Sequence, residues 1–285
     1  MIMGLVTGIV QGVLLGGAYA LIACGLSLAF GVMRLVNIAH GDLAVCGAYL
    51  ALVLATGLGV PVAVTLPLIL PIAFAAGVLL QLVLFQRALR GGVLAPVLVT
   101  FGLSVMIQNL LVTGASADPR SLDGGRLAMA GFTIGDLTLS WLRVIGFLLA
   151  VAVLGTLHLL LRRTAFGRRI RATADDLETA RLVGIRVRPV FACVAGIAVA
   201  TAVLAGVYIG LTATFDPYAG GLTLIFAFEA VVVGGLGSLW GTLLGGIVLG
   251  VTQQLVGLWD VRFAVLAVHV LFFTVLVVRP RGLLS

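Results

Sequence analysis

A chain of 285 residues that is 62% hydrophobic and 9% charged cannot cover a water-facing surface, because soluble domains carry about 25% charged residues. Its formal charge of +7 would suggest nucleic acid in a soluble protein, but every basic residue is an arginine and most stand in short segments between apolar runs. That is the bias that orients membrane helices, so composition excludes a soluble enzyme and a nucleic-acid partner and makes lipid the main solvent.

From the N-terminus, residues 1–33 carry no charge. They lack a basic n-region and run too long for a signal-peptide core, so this stretch is expected to be retained as the first span, near 6–29. Gly8, Gly12 and Gly16 recur every four residues along it; small residues at that spacing line one helix face and let a neighbouring backbone approach. The chain then passes through Gly25-Leu-Ser-Leu-Ala-Phe-Gly-Val-Met-Arg34-Leu-Val-Asn37-Ile-Ala-His40-Gly41-Asp42 into a second span, near 39–57. Two readings of this polar cluster stand. Asn37, His40 and Asp42 line the inner end of a substrate path, or Arg34 anchors the first span while Asn37 caps the second and its neighbours bond locally.

A third span is expected near 62–85, kinked by Pro61, Pro67 and Pro71, a fourth near 93–113 and a fifth near 141–161. The connecting loop 114–140 carries Asp118, Arg120, Asp123, Arg126 and Asp136. The largest charged segment follows at 162–188, with eight arginines. From Ile170, the residues Ala174, Leu177, Ala180 and Val183 recur at spacings of four and three, which predicts one helix with an apolar stripe over about 168–184. Arg171 with Asp175, and Glu178 with Arg181, would pair on its other side. Gly184 suits the helix end and Pro189 prevents continuation.

A sixth span is expected near 190–212, a glycine-interrupted pair near 222–234 and 241–257, and a last span near 263–278. Leu222 to Val233 reaches only about 18 Å as a helix, short of the ~30 Å hydrocarbon core. Either Gly234, Gly235 and Gly237 continue that helix to the inner face, or two half-helices form a re-entrant hairpin. Gly241 and Gly245, then Gly246 and Gly250, repeat the close-packing spacing. Glu229 lies inside the short segment without a basic neighbour in sequence; a charge at that depth faces a partner or a wet cavity. Gln81, Gln108, Asn109 and Gln253 are expected to hydrogen-bond between helices.

The fold expected is an all-α polytopic bundle of about 8–9 membrane segments. With the N-terminus outside and the C-terminus inside, 13 arginines fall inside and 4 outside, the favoured sense. Cys24, Cys46 and Cys193 stand singly as small core residues, without disulfide or metal spacing. His40, His158 and His269 are in separate segments, and no HExxH, GxSxG or Walker A pattern occurs. No catalytic set or metal site is expected, and if ATP drives transport, another chain binds it.

Glu178-Thr-Ala180-Arg-Leu-Val-Gly184 resembles the Glu-Ala-Ala-xxx-Gly loop of ABC-importer permeases, the helix that docks on the ATPase subunit. Thr179 replaces the middle alanine, and no Ile-x-Leu-Pro tail follows. The Gly25–Asp42 segment and Gly234-Gly-Leu-Gly-Ser238-Leu-Trp-Gly241-Thr-Leu-Leu-Gly-Gly are similar to the branched-chain amino acid permease family. Together the three segments cover residues 25 to 246. The resemblance implies a subunit of a bacterial inner-membrane importer working with a second permease chain, two ATP-binding subunits that hold ATP and Mg, and an extracytoplasmic solute-binding protein. It implies that 162–188, through Arg171, Asp175, Leu177, Glu178, Ala180 and Gly184, couples to the ATPase, and that loop 114–140 contacts the binding protein. The 1–285 chain would be one permease domain with no cofactor of its own. The alternative is a self-sufficient channel or ion-coupled carrier, in which Glu229 relays protons. Gly25-Leu-Ser-Leu-Ala-Phe30 does echo Gly221-Leu-Thr-Leu-Ile-Phe226, as in carriers built from repeated halves.

Overall fold

The computed structural model describes residues 2–92, 94–134 and 137–284. Among these, eight helices are long and apolar enough to cross a membrane, and one shorter apolar helix joins them. The long helices are α1 (Ile2–Met33), α2 (His40–Leu58), α3 (Val62–Leu80), α5 (Leu94–Ala115), α7 (Trp141–Arg163), α10 (Val187–Thr212), α12 (Leu239–Gly257) and α13 (Val261–Val278). The third span extends past α3 through a π turn at Gln81–Phe85 into α4 (Gln86–Ala88). The short apolar helix is α11 (Gly220–Gly234). The chain is a polytopic helical bundle, as its composition requires. Among the described residues it departs from an all-α chain at a hairpin of β1 (Gly131–Ile134) and β2 (Leu137–Ser140), preceded by α6 (Gly125–Met129) in the 114–140 loop, and at an isolated bridge between Arg120 and Phe215. Asp136 lies outside the described residues.

α1 and α10 form the interior, and their composition explains why. Both are rich in glycine and alanine on every side, so neighbours can close on them from all directions. α12 packs antiparallel along the whole of α1. A Cβ on Gly12 would stand 2.5 Å from the Val251 Cα, and one on Gly16 would overlap Ile247. From the other side, Gly246 faces the Gly16 carbonyl and Gly250 the Gly12 carbonyl. Gly241 and Gly245 point elsewhere, onto Gly234 and Ala230 of α11. The two glycine pairs of α12 thus serve two different neighbours. Gly8, at the seam's end, meets only the side-chain tips of Leu255 and Leu258.

The glycine-interrupted pair expected over 222–257 is present, but in neither of the two forms set out for it. α11 stops at Gly234, because Gly235 and Gly237 take φ of +110° and +85° and turn the chain. Ser238 then caps α12 by accepting from the Gly241 N–H at 3.1 Å. α12 is a full-length crossing, so the pair is one half-helix and one span. The turn sits beside Gly31 near the end of α1 and under the C-terminal tail. The Leu283 and Leu284 N–H groups donate to the last carbonyls of α11, those of Val233 and Gly234, at 2.9 and 3.1 Å. A helix end buried in a bundle needs such partners.

Candidate functional site

Three groups of side chains carry the polar chemistry of the bundle. The first begins where α1 ends. Arg34 adopts φ +51°, which stops the helix, and residues 34–39 run without regular structure. Asn37 shapes the turn by accepting from the Ala39 N–H at 3.1 Å, while the His40 N–H donates to the Asn37 carbonyl. α2 then begins inside the bundle. His40 Nε2–H donates to the Ile22 carbonyl at 3.0 Å, and Ile22 lies roughly 16 Å back from the Met33 end of α1. The polar cluster therefore sits inside the bundle, well back from the end of α1, rather than at a loop end.

α11 begins at the same depth, so the N-terminal ends of two helices converge there. A Cβ on Gly41 would overlap the Gly220 carbonyl oxygen, and one on Gly220 would overlap the Asp42 carboxylate. Only glycine fits at either position. Helix N-termini carry partial positive charge, and Asp42 supplies the compensating carboxylate in the first turn of α2. Gln108 Nε2 on α5 donates to its Oδ1 at 3.0 Å and also to Ser104 Oγ at 3.3 Å. Asn37, His40 and Asp42 are all buried. Broken helices meeting in the middle of a bundle are where transporters place substrate and coupling sites.

Glu229 forms the second group, and its partner was hidden in the sequence. His269 of α13, forty residues on, donates from Nδ1 to Glu229 Oε1 at 2.5 Å. The second carboxylate oxygen, Oε2, is buried without a partner. Phe226 stacks between His269 at 5.9 Å and Tyr19 at 4.8 Å, and the Tyr19 hydroxyl donates to Gln253. Gln108 and Gln253 do bond across helices, whereas Asn109 turns back to the Val105 carbonyl of its own helix. Among the described residues, no group of His, Cys, Asp or Glu is arranged to hold a metal.

The third group is the 162–188 segment, where the single expected helix is overturned. Asp176 adopts φ −147° and ψ +111° and splits it into α8 (Ala165–Asp175) and α9 (Leu177–Leu182). The Asp176 carboxylate caps α9, accepting from the Glu178 and Thr179 N–H groups and from the Thr179 hydroxyl. Those bonds, the Thr179 hydroxyl first, hold its carboxyl below the usual range. The cap is therefore complete at neutral pH and lost only as pH falls through that lowered value.

The expected ion pairs Arg171–Asp175 and Glu178–Arg181 are also absent among the described residues, where only Arg262–Asp260 and His269–Glu229 are paired. The break at Asp176 falls between the two pairs and leaves the helical spacing of each intact, but Arg171 instead donates to the Leu161 carbonyl. The apolar stripe is divided too. Ile170 and Ala180 are buried in the chain's own core, Ile170 among Leu28, Val32, Leu154 and Val190. Leu182 and Val183 project with 86% and 71% exposure. Gly184, at φ +84° with open space around it, ends the unit.

The family model described as "Branched-chain amino acid transport system / permease component" matches residues 8–278. The "High-affinity branched-chain amino acid transport system permease protein BraD" of Pseudomonas aeruginosa is 30% identical over 97% of this chain and 94% of its own length. The LivH permease protein of the Escherichia coli K12 high-affinity branched-chain amino acid system is 29% identical, covering 96% and 94%. "Fructose import permease protein FrcC" of Rhizobium meliloti is 31% identical over 55% of this chain and 47% of its own length. No solved structure matches.

Proposed function

The chain belongs to the branched-chain amino acid permease family, and on that premise we propose that it is the translocation subunit of an ATP-driven importer for branched-chain amino acids. It is a multi-pass membrane permease. The further parts of the proposal are its partners, its orientation and its cargo. A second permease chain completes the pathway, two ATP-binding subunits holding ATP and Mg dock on the face of 162–188, and a solute-binding protein delivers cargo at the 114–140 loop. The N-terminus is outside and the C-terminus inside, which puts the arginine-rich face in the cytosol.

The observation that carries the proposal is the divided stripe of α8 and α9. One half locks the unit to the bundle through Ile170 and Ala180, and the other half leaves Leu182 and Val183 uncovered beside Gly184. An anchored helix pair with a bare apolar tip suits a partner protein. Movement imposed on α8 is passed through Ile170 to Leu28 and Val32 of α1. The same helix holds His40, and with it the start of α2, through the Ile22 carbonyl. ATP-driven motion of the docking face would thus reach the junction of α2 and α11 through one rigid helix. Asn37, His40 and Asp42 are proposed to border the pathway there, with Glu229 on the adjoining side.

The test is Gly184→Arg, measured for membrane insertion, ATPase co-purification and uptake of labelled leucine against fructose. The protein should insert normally, lose the ATPase subunits and lose uptake, while the unaltered importer takes up leucine and ignores fructose. Undiminished uptake by the variant would remove the docking role. Full-rate uptake by the chain alone in liposomes would instead favour the ion-coupled carrier, with Glu229 and His269 as its proton groups.

A further inference from the structure

The transport proposal leaves unused a cavity of about 940 Å³ on the arginine-rich face. Its walls are the Met33 end of α1, the end of the third span, the break between α8 and α9, and the start of α10. Arg34, Arg90, Arg181, Arg186 and Arg188 line it against Asp175 and Asp176, a formal balance of +3. None of these five guanidiniums is in an ion pair among the described residues. Asp176 is already engaged as the cap of α9. Two glutamines complete the wall. Gln81 and Gln86 each have a buried Oε1 without a partner, and Gln81 is almost fully buried.

Orientation by positive charge explains why arginines are on this face. It does not explain why five of them surround one cavity, nor why two amide oxygens are left unmet in its wall. Buried polar groups without partners are destabilising and rare, so each requires an explanation. These two bracket the π turn, and such turns recur at functional sites. The third span beside them faces outward, with Leu79 and Val83 exposed, so an acyl chain can leave along it.

We propose that this cavity binds the headgroup of an anionic phospholipid, phosphatidylglycerol being the simplest with the right chemistry. The guanidiniums hold the phosphate, the glycerol hydroxyls donate to Gln81 and Gln86 Oε1, and the chains lie against the exposed side of the third span. Because the α8–α9 break is one wall, the bound lipid ties the docking segment to the bundle. Free phosphate offers the same anion without the chains.

The experiment measures labelled phosphatidylglycerol bound by the importer purified with its partner chains in detergent. Arg186→Gln/Arg188→Gln should weaken binding on the order of 30-fold, since each surface arginine contributes about fivefold to anionic-lipid affinity. Arg162→Gln/Arg279→Gln, arginines of the same face outside the cavity, should leave binding unchanged. Gln81→Leu should abolish any preference for phosphatidylglycerol over phosphatidic acid, which has no second glycerol. Equal weakening by both arginine pairs would reduce the effect to general surface charge and overturn the site. Displacement of the lipid by equimolar inorganic phosphate would overturn the lipid as occupant.

Discussion

The seam between α1 and α12 and the junction between α2 and α11 both depend on glycine, but for different contacts. Along the seam, Gly12, Gly16, Gly246 and Gly250 let the sides of two long helices touch over several turns. At the junction, Gly41 and Gly220 let two helix beginnings meet end to end, with Asp42 and His40 beside them. The seam is apolar and regular; the junction is polar and interrupted. The same residue type thus lets helix sides pack along their length in one place and lets helix ends meet in the other. Sides in contact over several turns must separate together. Ends meeting at a point can part while both helices stay intact.

One substitution made at several glycines tests that difference. Of the three substitutions compared, Gly12→Ala should have the largest effect on stability, because its Cβ would meet Val251 Cα at 2.5 Å and Gly250 O at 2.9 Å. Both are backbone atoms and neither helix can bend locally. A loss of about 3 kcal/mol, the upper end for overpacking, is expected in unfolding of the purified protein. Uptake per folded molecule should stay near normal. Gly41→Ala should reverse the pattern. Its overlap with the Gly220 carbonyl is relieved by parting the two helix ends, at about 1–2 kcal/mol, while uptake falls at least ~10-fold because a mispositioned site loses activity steeply. If Gly41→Ala unfolds the chain without altering uptake per folded molecule, the junction is only another seam.

The seam could be read in advance and the junction could not. A spacing of four in Gly8, Gly12 and Gly16 is a local pattern that implies a helix face whatever its partner. That His40 lies well inside the bundle depends on a bond to Ile22 made possible by the fold-back at Arg34, and no periodicity encodes a fold-back. The same holds for Glu229, whose partner His269 is forty residues away. The arginine segments and uncharged runs located the spans because the cost of burying charge acts residue by residue. The break in 168–184 had a local signal that the stripe masked: Asp176 followed by Glu178 and Thr179 is an N-cap pattern, and it prevailed over helical continuity. The hairpin also had a local signal, the alternation of Phe132-Thr-Ile134 and Leu137-Thr-Leu139, which the reading of 114–140 as a plain loop passed over.

The smallest expected effect sharpens the rule that the seam's strength comes from backbone contact rather than from glycine as such. Gly8 has the same spacing as Gly12 and Gly16, yet a Cβ there would meet only the Leu258 Cδ1 at 2.8 Å and the Leu255 Cδ2 at 3.3 Å. Leucine tips can swing aside, as backbone cannot. Alanine also favours the helix over glycine by about 0.8–1 kcal/mol, which offsets the crowding. Gly8→Ala should therefore change unfolding free energy by less than about 0.5 kcal/mol and leave uptake unaltered. A loss matching that of Gly12→Ala would mean that spacing alone sets the energy, and the distinction between side-chain and backbone contact would fail.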